Sequence, residues 1–266
     1  MRFSIIIPNY NKGKYLKECL DSVFNQTIDK DKYEVIFVDD GSDDNSLEIV
    51  KEYDVRLFHT NRKMAGGARN KGIDNATGEY LLFLDSDDYF YSNDVLENLD
   101  NFITDEDIIN LSLLRELSDG TRVINDFGKT LEEKLESSTL LGCPTKCFKR
   151  EILDGVRFLE GCYYEDVSFT MEAMCRVKKE SDFTQLFTFY RFVNGSITKT
   201  KEISPKKMID VFLQIGRLYY LCDQYPQYSK YILKRIKNDR LSLRLDILNE
   251  YFETGYNSFY DKFSKK

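Results

Sequence analysis

Over the first hundred residues, short blocks that are apolar throughout alternate with longer stretches in which apolar residues return every three or four positions. The short blocks, "RFSIII" at 2–7, "YEVIFVDD" at 33–40, "DVRLFH" at 54–59 and "GEYLLFL" at 78–84, each read as a β-strand. Between them, Tyr15, Leu16, Cys19, Leu20, Val23 and Phe24 carry helical spacing. "NSLEIVKEY" at 45–53 predicts a helix opened by Asn45 or Ser46, and 66–77 predicts a further short one. Strands apolar on both faces and separated by helices imply an α/β domain whose mostly parallel central sheet is covered on two sides.

Beyond residue 100 the pattern is less regular. It predicts strands around a turn at Asp119 and Gly120 within 107–127, strand mixed with loop over 143–160, and strand again over 182–192. A helix is expected from Glu165, with Val167, Met171, Met174 and Val177 as its apolar stripe. From Pro205 the chain reads as helical nearly to its end, first with Met208, Val211, Phe212, Ile215 and Tyr219 on one face and then over about 229–252. Ser204–Pro205 is the best boundary, dividing an α/β domain at 1–204 from a C-terminal helical appendage at 205–266.

Polar residues collect where the first strands end: Pro8-Asn9-Tyr10, Asp39-Asp40-Gly41-Ser42 and Asp85-Ser86-Asp87-Asp88. Ligands of parallel sheets bind at the carboxyl ends of the strands, so one crevice receives all three clusters. Two unit charges ~4 Å apart repel by about 4 kcal/mol at an effective dielectric near 20, so Asp85 and Asp87 need compensation. Either their pKa values rise, or a divalent cation sits between them and a polyanionic ligand, and carboxylate oxygens suit Mg²⁺ or Mn²⁺. The bland alternative is a solvated acidic turn capping the helix near Asp94. Gly66-Gly67 followed by Arg69 and Asn70 offers a cation and an amide suited to a nucleotide, or else only a tight turn.

Composition adds limits. The 266 residues, 42% hydrophobic, can bury one large core, and no apolar run approaches the roughly 20 residues of a membrane span. Together with an N-terminus that reaches Pro8 and polar residues too soon for a signal peptide, this places the expected location in the cytoplasm. Six scattered cysteines read as reduced, and "CPTKC" at 143–147 lacks the second ligand pair a zinc site needs, His59 being the only histidine. Residues 201–266 carry a surplus of five positive charges while 1–200 carry a net −12, an acidic body that disfavours nucleic acid as a partner.

Four segments, "SIIIPNYNKGKYLKECLDSVFNQT", "VIFVDDGSDDNS", "GGARNKGIDNATGEYLLFLDSDD" and "RFLEGCYYEDVSF", stand in an order that resembles family 2 glycosyltransferases of the GT-A fold, over roughly residues 3–200. The resemblance implies a GT-A-like Rossmann-type sandwich, with a nucleotide-binding half at 1–100 and an acceptor-binding half at 101–204. It implies a nucleotide-diphosphate sugar donor, UDP-linked most often, and a glycan or other hydroxyl acceptor in polysaccharide synthesis. By the same resemblance Pro8, Tyr10 and Asp40 line the uracil pocket, Arg69 lies near the nucleotide, Asp85 near the ribose and metal, Asp87 is the direct metal ligand, and Ser86 and Glu165 belong to the nucleotide-sugar site. Asp166, beside Glu165, falls where the family places the base of an inverting displacement. A carboxylate at a helix start is also expected to be held ionised by the helix dipole.

Ser196 aligns with a later segment that can close over the diphosphate, but Asn194 stands where many members carry a histidine, which puts a third metal contact in doubt. Lys146 and Arg191 are weaker candidates for stabilising phosphate. A nucleotide-sugar binding protein without turnover is the alternative. The basic tail reads as a helical surface for self-association, for peripheral contact with the inner face of a membrane, or for simple packing on the sheet domain.

Overall fold

The computed structural model describes residues 1–125, 127, 130–136, 142–193 and 204–237. Its first strand, β1 (Phe3–Asn9), is buried at every position. Side chains alternate across a strand, so Phe3, Ile5 and Ile7 enter one apolar cluster and Ile6 the other. Helix α1 (Gly13–Phe24) covers the first side with Leu16, Cys19, Leu20 and Val23. β2 (Tyr33–Asp39), the short α2 (Ser46–Val50) and β3 (Arg56–His59) follow, and β3, mostly exposed, is the sheet's edge. Helix α3 (Met64–Asn75) crosses to the second face, and β4 (Tyr80–Phe83) returns beside β1. The order β3-β2-β1-β4 is parallel throughout, as the apolar blocks predicted.

The sheet then becomes mixed. β5 (Tyr89–Phe90), α4 (Val95–Phe102), β6 (Ile108–Glu116), β7 (Arg122–Ile124), α5 (Leu131–Glu136), β8 (Lys146–Lys149), α6 (Glu165–Cys175) and β9 (Glu180–Tyr190) complete the α/β body. β8 inserts antiparallel between β4 and β6, β9 runs parallel to β6, and the two-residue β5 pairs antiparallel with the end of β9. That last pairing, with Tyr89 stacked on Phe189 at 4.8 Å, fixes the acidic turn after β4 against the end of β9. A two-residue strand and the six-residue α5 are too short to leave a period in the sequence.

Helix α7 (Pro205–Gln224) starts where expected, with Ser204 as its N-cap accepting from the Lys207 amide and Pro205 in its first turn. Its expected apolar face is corrected. Phe212 and Tyr219 are 67% and 41% exposed, and the buried face carries Ile215, Leu218 and Leu221 together with Asp210 and Gln214. Two polar residues on the inward side displaced the apparent stripe. Ile215, Leu218 and Leu221 share one cluster with Phe169 and Met174 of α6 and with Ile232 and Ile236 of the helical stretch 229–237, so this packing continues across position 204. Residues 238–266, which include most of the second expected segment and Tyr251, lie outside the described residues. Among the described residues no helix is long and apolar enough to cross a membrane.

Candidate functional site

The parallel order brings the ends of β1, β2 and β4 side by side, and each end is shaped by its own polar residues. At the end of β2, Asp39 accepts from the amides of Gly41 (3.1 Å) and Ser42 (3.0 Å), and the turn passes through Gly41 at φ +84°, where a side chain would be strained. Asn9 at the end of β1 donates to Asp39 at 3.1 Å and joins the two strand ends. Asp40 accepts from the Thr60 hydroxyl (2.7 Å) and from the amides of Lys63 (2.8 Å) and Met64 (2.7 Å), so both its oxygens anchor the start of α3. Tyr10, two residues after Pro8, is 40% exposed, and the Arg62 guanidinium lies 4.4 Å over its ring and donates to its hydroxyl.

The acidic turn after β4 answers its own repulsion in three ways. Asp85 accepts from Arg69 at 2.6 Å. Asp87 accepts from the Lys12 ammonium at 2.5 Å. Asp88, buried, accepts from the Arg191 amide at 2.9 Å while its second oxygen has no partner among the described residues. Burial, with the charges of Asp85 and Asp87, pushes the Asp88 carboxyl well above the usual carboxylate range, which favours its neutral form and eases the repulsion. Arg191 also donates to the Asp87 carbonyl at 3.1 Å and lies over the rings of Tyr15 and Tyr89. Ser86 is buried within the turn.

Arg69 is the centre of the site. Only 6% of its side chain is accessible, and it pairs with Asp85 on one side and Glu165 on the other above the Phe158 ring. It thus ties the β4 end to the start of α6 more directly than it faces the crevice. The close approach depends on Gly66, where a Cβ would stand 2.7 Å from the Leu159 carbonyl oxygen and 3.0 Å from Glu165 Cγ.

Asp166 follows Glu165 in the first turn of α6. Burial, then the charges of Glu165 and Asp85 against the opposing Arg69, raise its pKa to about 7. The expectation of a carboxylate held ionised by the helix dipole is therefore corrected: removal from water and two nearby carboxylates outweigh the dipole.

The structure thus gathers Pro8, Tyr10, Asp40, Arg69, Asp85, Ser86, Asp87, Glu165 and Asp166 around one end of the sheet. Ser196 and Asn194 lie outside the described residues. Lys146 is set apart, because it is fully buried, donates to Asn110 Oδ1 at 2.6 Å, and has its pKa lowered to about 7 by burial. Its ammonium is spent in the fold, so the expectation of a phosphate contact is withdrawn. Cys143 and Cys147 belong to opposite apolar clusters and share no ligand direction. The sequence reading missed Lys12 and Arg62. The signal for Lys12 was the uncompensated carboxylate excess of "DSDD" facing the basic "NKGK" after β1.

A divalent ion fits this donor set. Asp87 is a hard oxygen ligand, 18% exposed, whose position already draws a cation. Among the described residues no group of three or more His, Cys, Asp or Glu converges to hold an ion by itself.

The sequence profile described as Glycosyl transferase family 2 matches residues 4–148. The chain is 35% identical over 196 residues to a poly(ribitol-phosphate) beta-glucosyltransferase of Bacillus spizizenii, covering 68% of this chain and 31% of that protein. It is 30% identical to glycosyltransferase GlyG of Streptococcus pneumoniae over 79% of this chain and 80% of that one. A crystal structure of Staphylococcus aureus TarS 1–349 with UDP-GlcNAc superposes with a TM-score of 0.73 at 25% identity, over 92% of this chain and 76% of that chain. The chain spans less than half the length of the first curated relatives it matches. The mixed α/β architecture matches this GT-A structure, and with the profile and these identities it follows that the chain belongs to glycosyl transferase family 2.

Proposed function

We propose that the chain transfers a sugar from a nucleotide-diphosphate sugar, UDP-linked, to an acceptor hydroxyl with inversion, in the synthesis of a surface glycan. The observation that carries this reading is the gathering of Asp85, Glu165 and Asp166 around Arg69, with Asp87 on the same turn as Asp85, at the carboxyl ends of parallel strands. It is supported by relatives whose names describe sugar transfer to poly(ribitol phosphate) and by solved TarS complexes with UDP-GlcNAc and with UDP.

The Tyr10 ring, exposed two residues after Pro8, offers a face on which uracil stacks, and Asp40 holds the loop that closes that pocket. Asp87 and Asp85 would hold Mg²⁺ or Mn²⁺, which when bound neutralises the departing diphosphate. Arg69 keeps Asp85 and Glu165 in fixed relation, and Asp166 takes the proton of the acceptor hydroxyl as its oxygen bonds the anomeric carbon and the bond to diphosphate breaks. With its pKa near 7, Asp166 is matched to proton transfer at neutral pH.

Calorimetry on Asp87→Asn tests the donor site. UDP affinity measured in Mn²⁺ is expected to fall to the level the unaltered chain shows in chelator. Equal affinity of both proteins in Mn²⁺ would remove Asp87 from the metal site.

A further inference from the structure

Lys206, Asp210 and Gln214 stand four residues apart on α7 and therefore on one face. Two of the three point inward: Asp210 is 3% and Gln214 5% exposed, an expensive location for polar groups without partners, while Lys206 reaches them from the surface with its side chain 49% exposed. Their partners lie on the turn at 161–163. Asp210 Oδ2 accepts from the Tyr163 amide at 3.0 Å and from Lys206 Nζ at 2.8 Å. Lys206 Nζ also donates to the Gly161 carbonyl at 2.5 Å, and Cys162 Sγ donates to the Asp210 carbonyl at 3.7 Å. From the opposite side the Gly161 amide donates to the Lys63 carbonyl at 2.8 Å, beside the start of α3.

What this turn launches gives the contacts their meaning. Tyr164 follows at φ 60° and ψ 29°, a left-handed conformation a tyrosine keeps only where its surroundings over-determine it. Glu165 and Asp166 come next, as the first residues of α6. The 161–163 turn therefore leads through Tyr164 directly into the residues that carry Asp166.

We propose that Asp210 is a positioning residue for sugar transfer, its carboxylate holding the 161–163 turn from α7 so that Asp166 enters the crevice in a reactive direction. The C-terminal helix then belongs to the catalytic architecture. The inference rests on the reading of Asp166 as the base. Misplacing a reacting group by about 1 Å costs on the order of 10²-fold in rate, whereas on the proposed reading UDP is held mainly by the ends of β1, β2 and β4.

The test uses the full chain as Asp210→Ala, Asp210→Asn and Arg217→Met. The last breaks a different contact of the same helix, from Arg217 to Glu172 at 2.8 Å. UDP release from UDP-N-acetylglucosamine or UDP-glucose with Mn²⁺, UDP affinity by calorimetry, and amide hydrogen exchange over 161–166 are read on each. Asp210→Ala is expected to lose about 10²-fold in turnover with UDP affinity changed by no more than about twofold, and the Tyr163 amide to exchange about tenfold faster. Asp210→Asn still offers the Tyr163 amide an oxygen but loses the charge and should lose roughly tenfold, while Arg217→Met stays near the unaltered rate. Should the alanine variant fail to fold, the asparagine variant decides by the same split between turnover and affinity.

Full turnover in Asp210→Asn and Asp210→Ala, or an equal loss in Arg217→Met, overturns the inference. Asp166→Asn separates the two levels. If it turns over normally, the base assignment falls whatever Asp210 does. If it is inactive while the Asp210 variants are unimpaired, only the positioning role falls.

Discussion

Asp166→Asn is expected to lose transfer by about 10²–10⁴ while keeping donor affinity, because the amide preserves size and hydrogen bonding but cannot accept the acceptor's proton. On the proposed reading UDP is held mainly by the ends of β1, β2 and β4 and not by Asp166, so UDP binding by calorimetry should be unchanged. The pH profile supplies a second outcome with a definite sign. Burial raises the Asp166 pKa to about 7, so the active, deprotonated form is lost as the pH falls through that value. Turnover of the unaltered chain should drop on the acid side of neutrality. A rate flat from pH 8 down to about 5 would mean that the group acting as base lies at an ordinary carboxylate pKa. Retention of most of the rate by the variant would make Asp166 a residue of the helix start and Glu165 the next base to test.

Arg69→Met is expected to destabilise the fold by about 3–5 kcal/mol, since removing one partner of a buried ion pair leaves the other charge uncompensated. Here two carboxylates are stranded, Asp85 and Glu165, the second only 12% exposed. For a domain of this size the loss corresponds to a melting temperature lower by roughly 10 °C. Adding Glu165→Gln to Arg69→Met removes one of the stranded charges and should recover part of the loss, a non-additivity expected only of groups in contact. Thermal unfolding of the two single variants and the double one measures it. Additive losses would mean that Arg69 acts through its packing on Phe158 and not through its charge.

The parts of the fold that could be read from the chain are those in which one physical demand dominated. Strands such as Phe3–Asn9 and Tyr33–Asp39 are buried on both faces, and their unbroken Val, Ile and Phe runs state that directly. The acidic turn was legible as a candidate site because three carboxylates in four positions repel one another and call for compensation. Which cations supply it was not legible, since Lys12, Arg69 and Arg191 come from three separate parts of the chain and meet only in the folded sheet.

Misreadings came where a polar residue had a buried task. Asp210 and Gln214 turn inward to hold the 161–163 turn, which moved the apparent apolar stripe of α7 onto Phe212 and Tyr219. Lys146 looked available for phosphate because charge in a sequence suggests exposure, yet it is enclosed beside Asn110. The pKa of Asp166 was also beyond reach, as it depends on desolvation and on Asp85, 81 positions away.

The central claim is that this crevice turns over a nucleotide sugar. UDP release from UDP-N-acetylglucosamine and UDP-glucose, followed in Mn²⁺ and again in chelator, tests it on the unaltered chain with calorimetric affinity measured alongside. The account predicts bound donor and released UDP, with release abolished by chelator and by Asp166→Asn. Donor that binds with Mn²⁺ present and stays intact would contradict it and leave a nucleotide-sugar binding protein.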